Sequence, residues 1–178
     1  MIITGGKYKS RKVFAPDENI TRPTLSKVRM GVFNTLYSML GDFGNMTFLD
    51  VFGGSGIMGL EAISRGFKNV AVYEKNLKAA QIIKKNYSIL GLQPDLKIGD
   101  SLKIIEKQTD SYDVAYVDPP YMSGIYEEVF SLLEKKVSYI AAEHSADINI
   151  INFYLIKTKN YGGKKVSFYK SKFTPSNS

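Results

Sequence analysis

The chain has 178 residues, 44% of them hydrophobic, which suits one α/β domain able to bury a core without disulfide or metal staples. It holds no cysteine and one histidine, His144, so disulfides, thiol catalysis and Cys-held zinc are excluded, and a His-built metal centre or a Ser-His-Asp triad lacks its parts. The net charge of +7 is split: residues 1–29 carry +5, residues 151–178 carry six lysines and no acid, and residues 30–150 carry −4, a distribution that suits a polyanion held by the two ends.

The N-terminus, MIITGGKYKSRK, has no apolar h-region, and no later apolar run approaches about 18 residues. The expectation is a soluble, cytoplasmic protein with no membrane segment and no metal. Residues 2–14 have apolar ends around a polar middle containing glycine, which predicts a small β-hairpin. Along it Lys7, Lys9, Arg11 and Lys12 alternate, with Tyr8 among them, a pattern fit for positioning phosphates. APDENITRP reads as loop, and Thr24 is placed to cap a helix in which Leu25, Val28, Val32, Leu36 and Leu40 keep helical spacing.

From Thr47 strands and helices alternate. TFLDV is a strand, SGIMGLEAISRG a helix closed by Gly66, and NVAVYE a second strand. NLKAAQIIKKNYSILG is an amphipathic helix stopped by Gly91. DLKIGD is a third strand, SLKIIEK a short helix, YDVAYVD a fourth strand, IYEEVFSLLEKK a helix and VSYIAAEH a fifth strand. INFYLIKTKNYGGKKVSFYK reads as two strands joined around Tyr161-Gly162-Gly163, with Lys164 and Lys165 by the turn as further phosphate contacts. Repeated βα units with near-continuous apolar strands predict a parallel sheet with helices on both faces, and the terminal turn predicts an antiparallel pair at one edge.

Gly54, Gly56 and Gly59 satisfy G-x-G-x-x-G, and Glu74 ends the next strand. By spacing alone this fits a dinucleotide, whose pyrophosphate would lie at a helix N-terminus. Asp50, at the end of the first strand, would repel a pyrophosphate and suits a cation instead. S-adenosylmethionine carries an α-ammonium and a sulfonium and has no phosphate. Glu74 is placed for its ribose hydroxyls and Asp100 for its adenine amine. Carboxylates on the carboxyl ends of successive strands lie where a parallel sheet binds its ligand.

In VAYVDPPYMSG the fourth strand stops at Asp118-Pro119-Pro120-Tyr121. Pro119 has no N–H and restricts Asp118 to extended backbone, and Pro120 does the same to Pro119. Acceptors fixed in this way can hold both protons of a planar exocyclic amine and expose its lone pair. Tyr121 offers a face on which a base can stack.

Asp118-Pro119-Pro120-Tyr121 is similar to the D-P-P-Y signature of amino-methyltransferases, and LDVFGGSG resembles the first motif of class I S-adenosylmethionine-dependent methyltransferases. GGKYKSRKV, TRPT, VR and FNTL, then DVFGGSGIMGLEAISRG and YVDPPY, resemble in order the bacterial small-subunit ribosomal RNA guanine-N2 methyltransferases, over most of residues 1–145. The resemblance implies a Rossmann-like α/β fold, a mostly parallel seven-stranded sheet in residues 17–173, after a basic β-hairpin extension in residues 1–16 and before a disordered tail in 174–178. It implies S-adenosylmethionine as cofactor, held by Asp50, Phe52, Gly53, Ser55, Gly56, Glu74, Lys75, Asp100 and Ser101, with Arg22 and Thr24 of an R-P-T element beside it. Asp118, Pro119, Pro120 and Tyr121 would form the catalytic element. The implied partner is 16S ribosomal RNA or a partly assembled small subunit, met by a monomer. Met30 stands where the family usually has an acid after VR, and the C-terminal third diverges.

Three other readings stay open on the residues. The tetrapeptide also serves DNA adenine or cytosine amino-methylation, although the chain shows no target-recognition domain. An NAD-dependent oxidoreductase fits the glycine pattern and leaves the prolines unexplained. A non-catalytic RNA-binding protein leaves Asp50, Glu74 and Asp118 without a task.

Overall fold

Strands that are apolar on both sides need cover on both sides, and the chain supplies it from two sets of helices. The computed structural model describes residues 1–15, 25–120 and 124–173. The expected loop through Pro23, the Thr24 cap, Arg22, Tyr121 and the tail after Phe173 lie outside the described residues.

In chain order come α1 (Ser26–Leu40), β1 (Thr47–Asp50), α2 (Ile57–Ser64), β2 (Asn69–Glu74), α3 (Leu77–Ile89), β3 (Asp95–Ile98) and α4 (Ser101–Lys107). There follow β4 (Tyr112–Val117), α5 (Ile125–Leu133), β5 (Val137–His144), β6 (Phe153–Asn160) and β7 (Lys165–Ser171). The seven strands form one sheet in the order β3-β2-β1-β4-β5-β7-β6. β1 to β5 are parallel, and β7 runs antiparallel to β5 and β6.

Successive strand residues point to opposite faces. Phe48, Val70, Val72, Val114 and Tyr116 pack with α1, α2 and α3 through Val32, Phe33, Leu36, Leu60, Ile83 and Tyr87. Leu49, Val51, Ala71, Tyr73, Ala115 and Val117 pack with α4 and α5 through Ile105, Val129, Phe130 and Leu133. A stack of rings closes the first face, Phe43 lying on Phe67 at 4.2 Å between centroids with Phe33 and Phe48 at its edge.

The helices begin where polar groups meet free amides. Asn76 accepts from the amides of Lys78 and Ala79 at the start of α3, and Asp100 from those of Leu102 and Lys103 at the start of α4, which satisfies donors no helical carbonyl can reach. α1 differs: its N-cap position is Leu25, which makes no side-chain cap.

The N-terminal segment folds back with a single antiparallel bridge, Ile2 to Lys12, in place of two full strands. Its two halves are joined by a few backbone bonds, among them the Ile3 amide to the Arg11 carbonyl (3.1 Å) and the Val13 amide to the Met1 carbonyl (2.9 Å), and other amides run into the helices. The amides of Thr4, Tyr8 and Phe14 donate to Glu61 Oε1 (2.7 Å), Ser64 Oγ (2.8 Å) and Asn86 Oδ1 (2.8 Å). Ile3 and Val13 are buried in the first core, while Lys7, Lys9, Arg11 and Lys12 are exposed. Glu61, with no exposed surface, joins the arm to α1 and α2. It takes Arg29 Nε at 3.3 Å and Arg65 Nε at 3.3 Å, and Arg29 Nη2 donates to the Ile2 carbonyl at 2.7 Å.

Glu61→Ala would leave a guanidinium buried without its carboxylate, so a loss of about 3–5 kcal/mol is expected in denaturant unfolding. Glu61→Gln, which keeps an acceptor, should lose less.

Candidate active site

Parallel strands put their carboxyl ends on one edge of the sheet, and each of the first five delivers an acid or an acid neighbour there. Asp50 is the last residue of β1 and Glu74 of β2, Asp118 follows β4, and Glu143 is next to last in β5. Asp100 comes two residues after β3 ends at Ile98 and is the N-cap of α4, so a helix start, not a strand, carries it. The order of the sheet reverses between β1 and β4, where Asp50 pairs with Tyr116. Ligands bind such open sheets at the reversal.

The turn from β1 to α2 is held close to β2. The Gly53 amide donates to the Tyr73 carbonyl at 2.7 Å, and the Gly56 amide to the Gly53 carbonyl at 2.7 Å. Gly56, the N-cap of α2, has φ +74°, a left-handed conformation that costs glycine little. A Cβ on Gly59 would lie 2.4 Å from Tyr87 Oη and 2.9 Å from Val72 Cγ2; this glycine is there for helix-to-strand contact. Ser55 is buried, and its carbonyl accepts from Asn86 Nδ2 at 3.0 Å.

Glu74 is fixed through both oxygens, Oε2 accepting from the Gly54 amide and Oε1 from the Asn76 amide, each at 2.7 Å. Each carboxylate oxygen keeps a second lone pair. Ser101 Oγ donates to the Val51 carbonyl at 2.6 Å, which draws α4 against the end of β1. Phe52 is half-buried against the second core, and Lys75 is exposed.

Asp50 is the anomaly of this edge. It is 1% exposed, and neither carboxylate oxygen has a hydrogen-bond partner among the described residues. Burial raises its pKa to about 7, with Glu74 and Asp118 adding to the rise. The nearby backbone of Gly59 and Phe52 favours the charged form without closing a hydrogen bond to either oxygen. A buried acid without a partner is costly, and a cation brought beside it removes that cost. S-adenosylmethionine, which is doubly cationic near its sulfur and amino acid end, fits such a group. A pyrophosphate does not.

Asp118 is half-buried and Pro119 buried, while Pro120 is exposed. Burial and the charge of Glu143 raise the Asp118 pKa well above the usual carboxylate range, and Lys164 opposes them. Glu143 is held from three sides. Tyr116 Oη donates to Oε2 at 2.8 Å, Lys164 Nζ to Oε1 at 2.6 Å, and Tyr126 Oη to the Glu143 carbonyl at 2.6 Å. Burial keeps Tyr116 protonated.

Lys164, expected on the RNA path, is therefore part of this network. Lys165 pairs with Asp147 at 2.6 Å on the surface. Glu143, Tyr116 and Tyr126 were not among the residues expected from sequence. The signal for Glu143 was there: an acid inside VSYIAAEH at the position where the other strands also end in one. His144 is spent on structure, with Nδ1 2.7 Å from the Ala146 carbonyl and Nε2 2.8 Å from Ser167 Oγ. Among the described residues no cluster of acids and histidines can hold a metal, and no helix is long and apolar enough to cross a membrane.

The family model described as Conserved hypothetical protein 95 matches residues 1–170. Ribosomal RNA small subunit methyltransferase D of Buchnera aphidicola is 32% identical, over 88% of this chain and 86% of that protein. Its namesake from Escherichia coli is 32% identical, over 74% of this chain and 66% of that protein. Among solved structures, the candidate methyltransferase yhhF of Escherichia coli superposes with a TM-score of 0.84 at 25% identity, over 96% of this chain and 97% of the other.

Asp50 binds a proton in the fold up to about pH 7, whereas an unfolded aspartate releases it near about pH 4. Its contribution to stability is thus full below about pH 4 and lost as pH rises through about 7. Asp50→Asn should raise stability at pH 8 by an amount on the order of 1 kcal/mol or more and so raise the melting temperature, with little effect at pH 4; thermal melts across pH measure it.

Proposed function

The chain belongs to the Conserved hypothetical protein 95 family, and from that membership we propose that it methylates the exocyclic N2 amine of a guanine in small-subunit ribosomal RNA, with S-adenosylmethionine as donor. The observation that carries the reading is that Asp50, which pairs with Tyr116 of β4, and Asp118, two residues after that tyrosine, come to one edge at the sheet reversal. One is a buried acid that needs a cation, and the other an acid set rigidly before two prolines.

In this reading Asp50, Glu74, Asp100, Ser101 and the turn from Phe52 to Gly56 hold the donor, with Lys75, Arg22 and Thr24 beside them. The bound donor supplies a methyl group on a sulfonium, activated before it reaches the protein. Positioning then supplies most of the acceleration, since oriented reactants gain on the order of 7–11 kcal/mol.

Asp118 accepts a hydrogen bond from N2–H and turns the nitrogen lone pair toward the methyl carbon. The carbonyl beside Pro119 accepts the second proton, and Tyr121 stacks on the base. Once the N–C bond has formed, N2 is acidic and Asp118 takes its proton. That role needs the charged carboxylate, so Lys164 favours it and Glu143 opposes it. Lys7, Tyr8, Lys9, Arg11 and Lys12 are available for phosphates on the exposed arm.

A dinucleotide reading is disfavoured by Asp50, which has no hydrogen-bond partner among the described residues, and those residues add no separate domain for reading duplex DNA.

Asp118→Ala should abolish methyl transfer to small-subunit rRNA and keep S-adenosylmethionine binding in calorimetry; full activity would remove Asp118 from the mechanism. The network gives opposed effects on the pH–rate profile. Lys164→Met should move its acid limb to higher pH, because Asp118 then loses a nearby cation. Glu143→Gln should move it to lower pH, because Asp118 then loses a nearby anion. Profiles that stay superimposed would exclude coupling between β5 and Asp118.

A further inference from the structure

The last two strands end the sheet on β6, whose other side has no strand partner among the described residues. An open edge pairs readily with other strands unless charge prevents it. Every residue of β6 after Phe153 is exposed. Register shows which of them share a face. Tyr154 lies opposite Lys170, Lys157 opposite Phe168, and Lys159 opposite Val166, and residues directly opposite on antiparallel strands point the same way. Phe168 and Val166 belong to the core under α1, so Tyr154, Lys157, Lys159 and Lys170 lie on the α1 side of the sheet. Lys172, two residues beyond Lys170, places its Nζ 5.1 Å from the Tyr154 ring centre. Leu155, opposite Tyr169, faces the other side.

This face has a direction. Because β7 is antiparallel to β5, its start at Lys165 stands beside His144, on the edge that carries Asp118, and its end stands by the start of β5. The row thus runs from Lys159 near the candidate active site, through Lys157, to Lys170, Tyr154 and Lys172 at the far edge. The five residue steps from Lys159 to Tyr154 along β6 cover about 17 Å. No acid occurs in residues 151–178 to neutralise it.

We propose that this face of β6 and β7 is a second RNA-binding surface, which holds the ribose-phosphate backbone leading away from the target nucleotide. The proposal rests on the RNA reading above and adds to it a surface outside the basic N-terminal arm. Charge decides between occupants. A second copy paired edge to edge would set Lys157 and Lys159 against their own kind, and like charges directly opposed are destabilising. A phosphate backbone meets four cations and no anion. Lys172 donates to the Ile151 carbonyl, and the Tyr154 ring adds a cation–π attraction that helps hold it by the row.

The test is the variant K157Q/K159Q/K170Q/K172Q in the full chain, with small-subunit rRNA and a poly-uridine strand as probes. Each phosphate contact contributes about 0.7 to the slope of log affinity against log salt on single strands and about 0.9 on duplex. The variant should lose about 3 from that slope on rRNA, and at least about tenfold in affinity at about 50 mM salt. S-adenosylmethionine affinity and kcat at saturating RNA should be unchanged while KM rises. An unchanged slope overturns the proposal. So does an unchanged slope with new self-association in light scattering, which would mean that the lysines only guard the edge. A lost slope in an enzyme that methylates no rRNA would sink the methylation reading and leave the RNA surface standing.

Discussion

Everything at the ligand edge depends on one arrangement, the parallel pairing of β1 with both β2 and β4. That register brings Glu74 and Asp118 close enough to add to the rise that burial gives the Asp50 pKa. A fold selected for stability alone would not leave three acids there, one of them buried without a partner. Burial raises the proton affinity of Asp50; in the proposed reading a cationic donor would displace that proton, so the unfavourable electrostatics of the edge would become part of donor affinity. The surrounding geometry serves the same end. Glu74 is pinned by two amides and cannot swing toward Asp50, and Ser101 ties α4 to the strand that carries the acid.

The arm is bound to this edge by a different kind of charge. Glu61 has three donors in a dry interior, from the Thr4 amide, Arg29 and Arg65. Arg29 in turn reaches the arm's own backbone. The arm is therefore welded to α1, α2 and α3, and its lysines ride on a rigid base. A basic extension on a flexible tether would lose ordering entropy at each encounter with RNA; this one has lost it on folding. It also explains why the expected hairpin is reduced to one bridge. The amides of Thr4, Tyr8 and Phe14 are taken by Glu61, Ser64 and Asn86, which leaves only a few backbone bonds between the arm's two halves.

Much of the fold was legible in the residues. β2, α4 and β5 lie where their patterns put them, because apolar runs between glycines and polar caps have few other solutions. The antiparallel end followed from Gly162 and Gly163, both of which adopt positive φ. What the pattern could not give was who meets whom across the sheet. Lys164 read as a surface cation beside a turn, and only the antiparallel return of β7 along β5 brings it to Glu143. Arg29 read as part of a helix whose face was set by leucine and valine, and its burial depends on a partner 32 residues away. Asp100 read as the end of the strand in DLKIGD, although its side chain is better satisfied as the cap of α4. Long-range ion pairs leave no periodicity, so no window of sequence contains them.

Lys164 stands where two electrostatic regions meet. On one side it neutralises Glu143, which would otherwise discourage the charge on Asp118; on the other it continues toward the lysines of β6. On the proposed path, an RNA backbone arriving along that row would bring negative charge toward Lys164 and compete with Glu143 for it. If the ammonium were drawn off, Glu143 would raise the proton affinity of Asp118 and weaken the acceptor. The 2.6 Å contact in a half-buried setting, with Tyr116 and Tyr126 holding the rest of Glu143, resists that exchange. In the proposed reading these two tyrosines would protect the Asp118 acceptor from the charge of an RNA substrate, which would be a reason to spend two phenols on a residue that touches neither reactant.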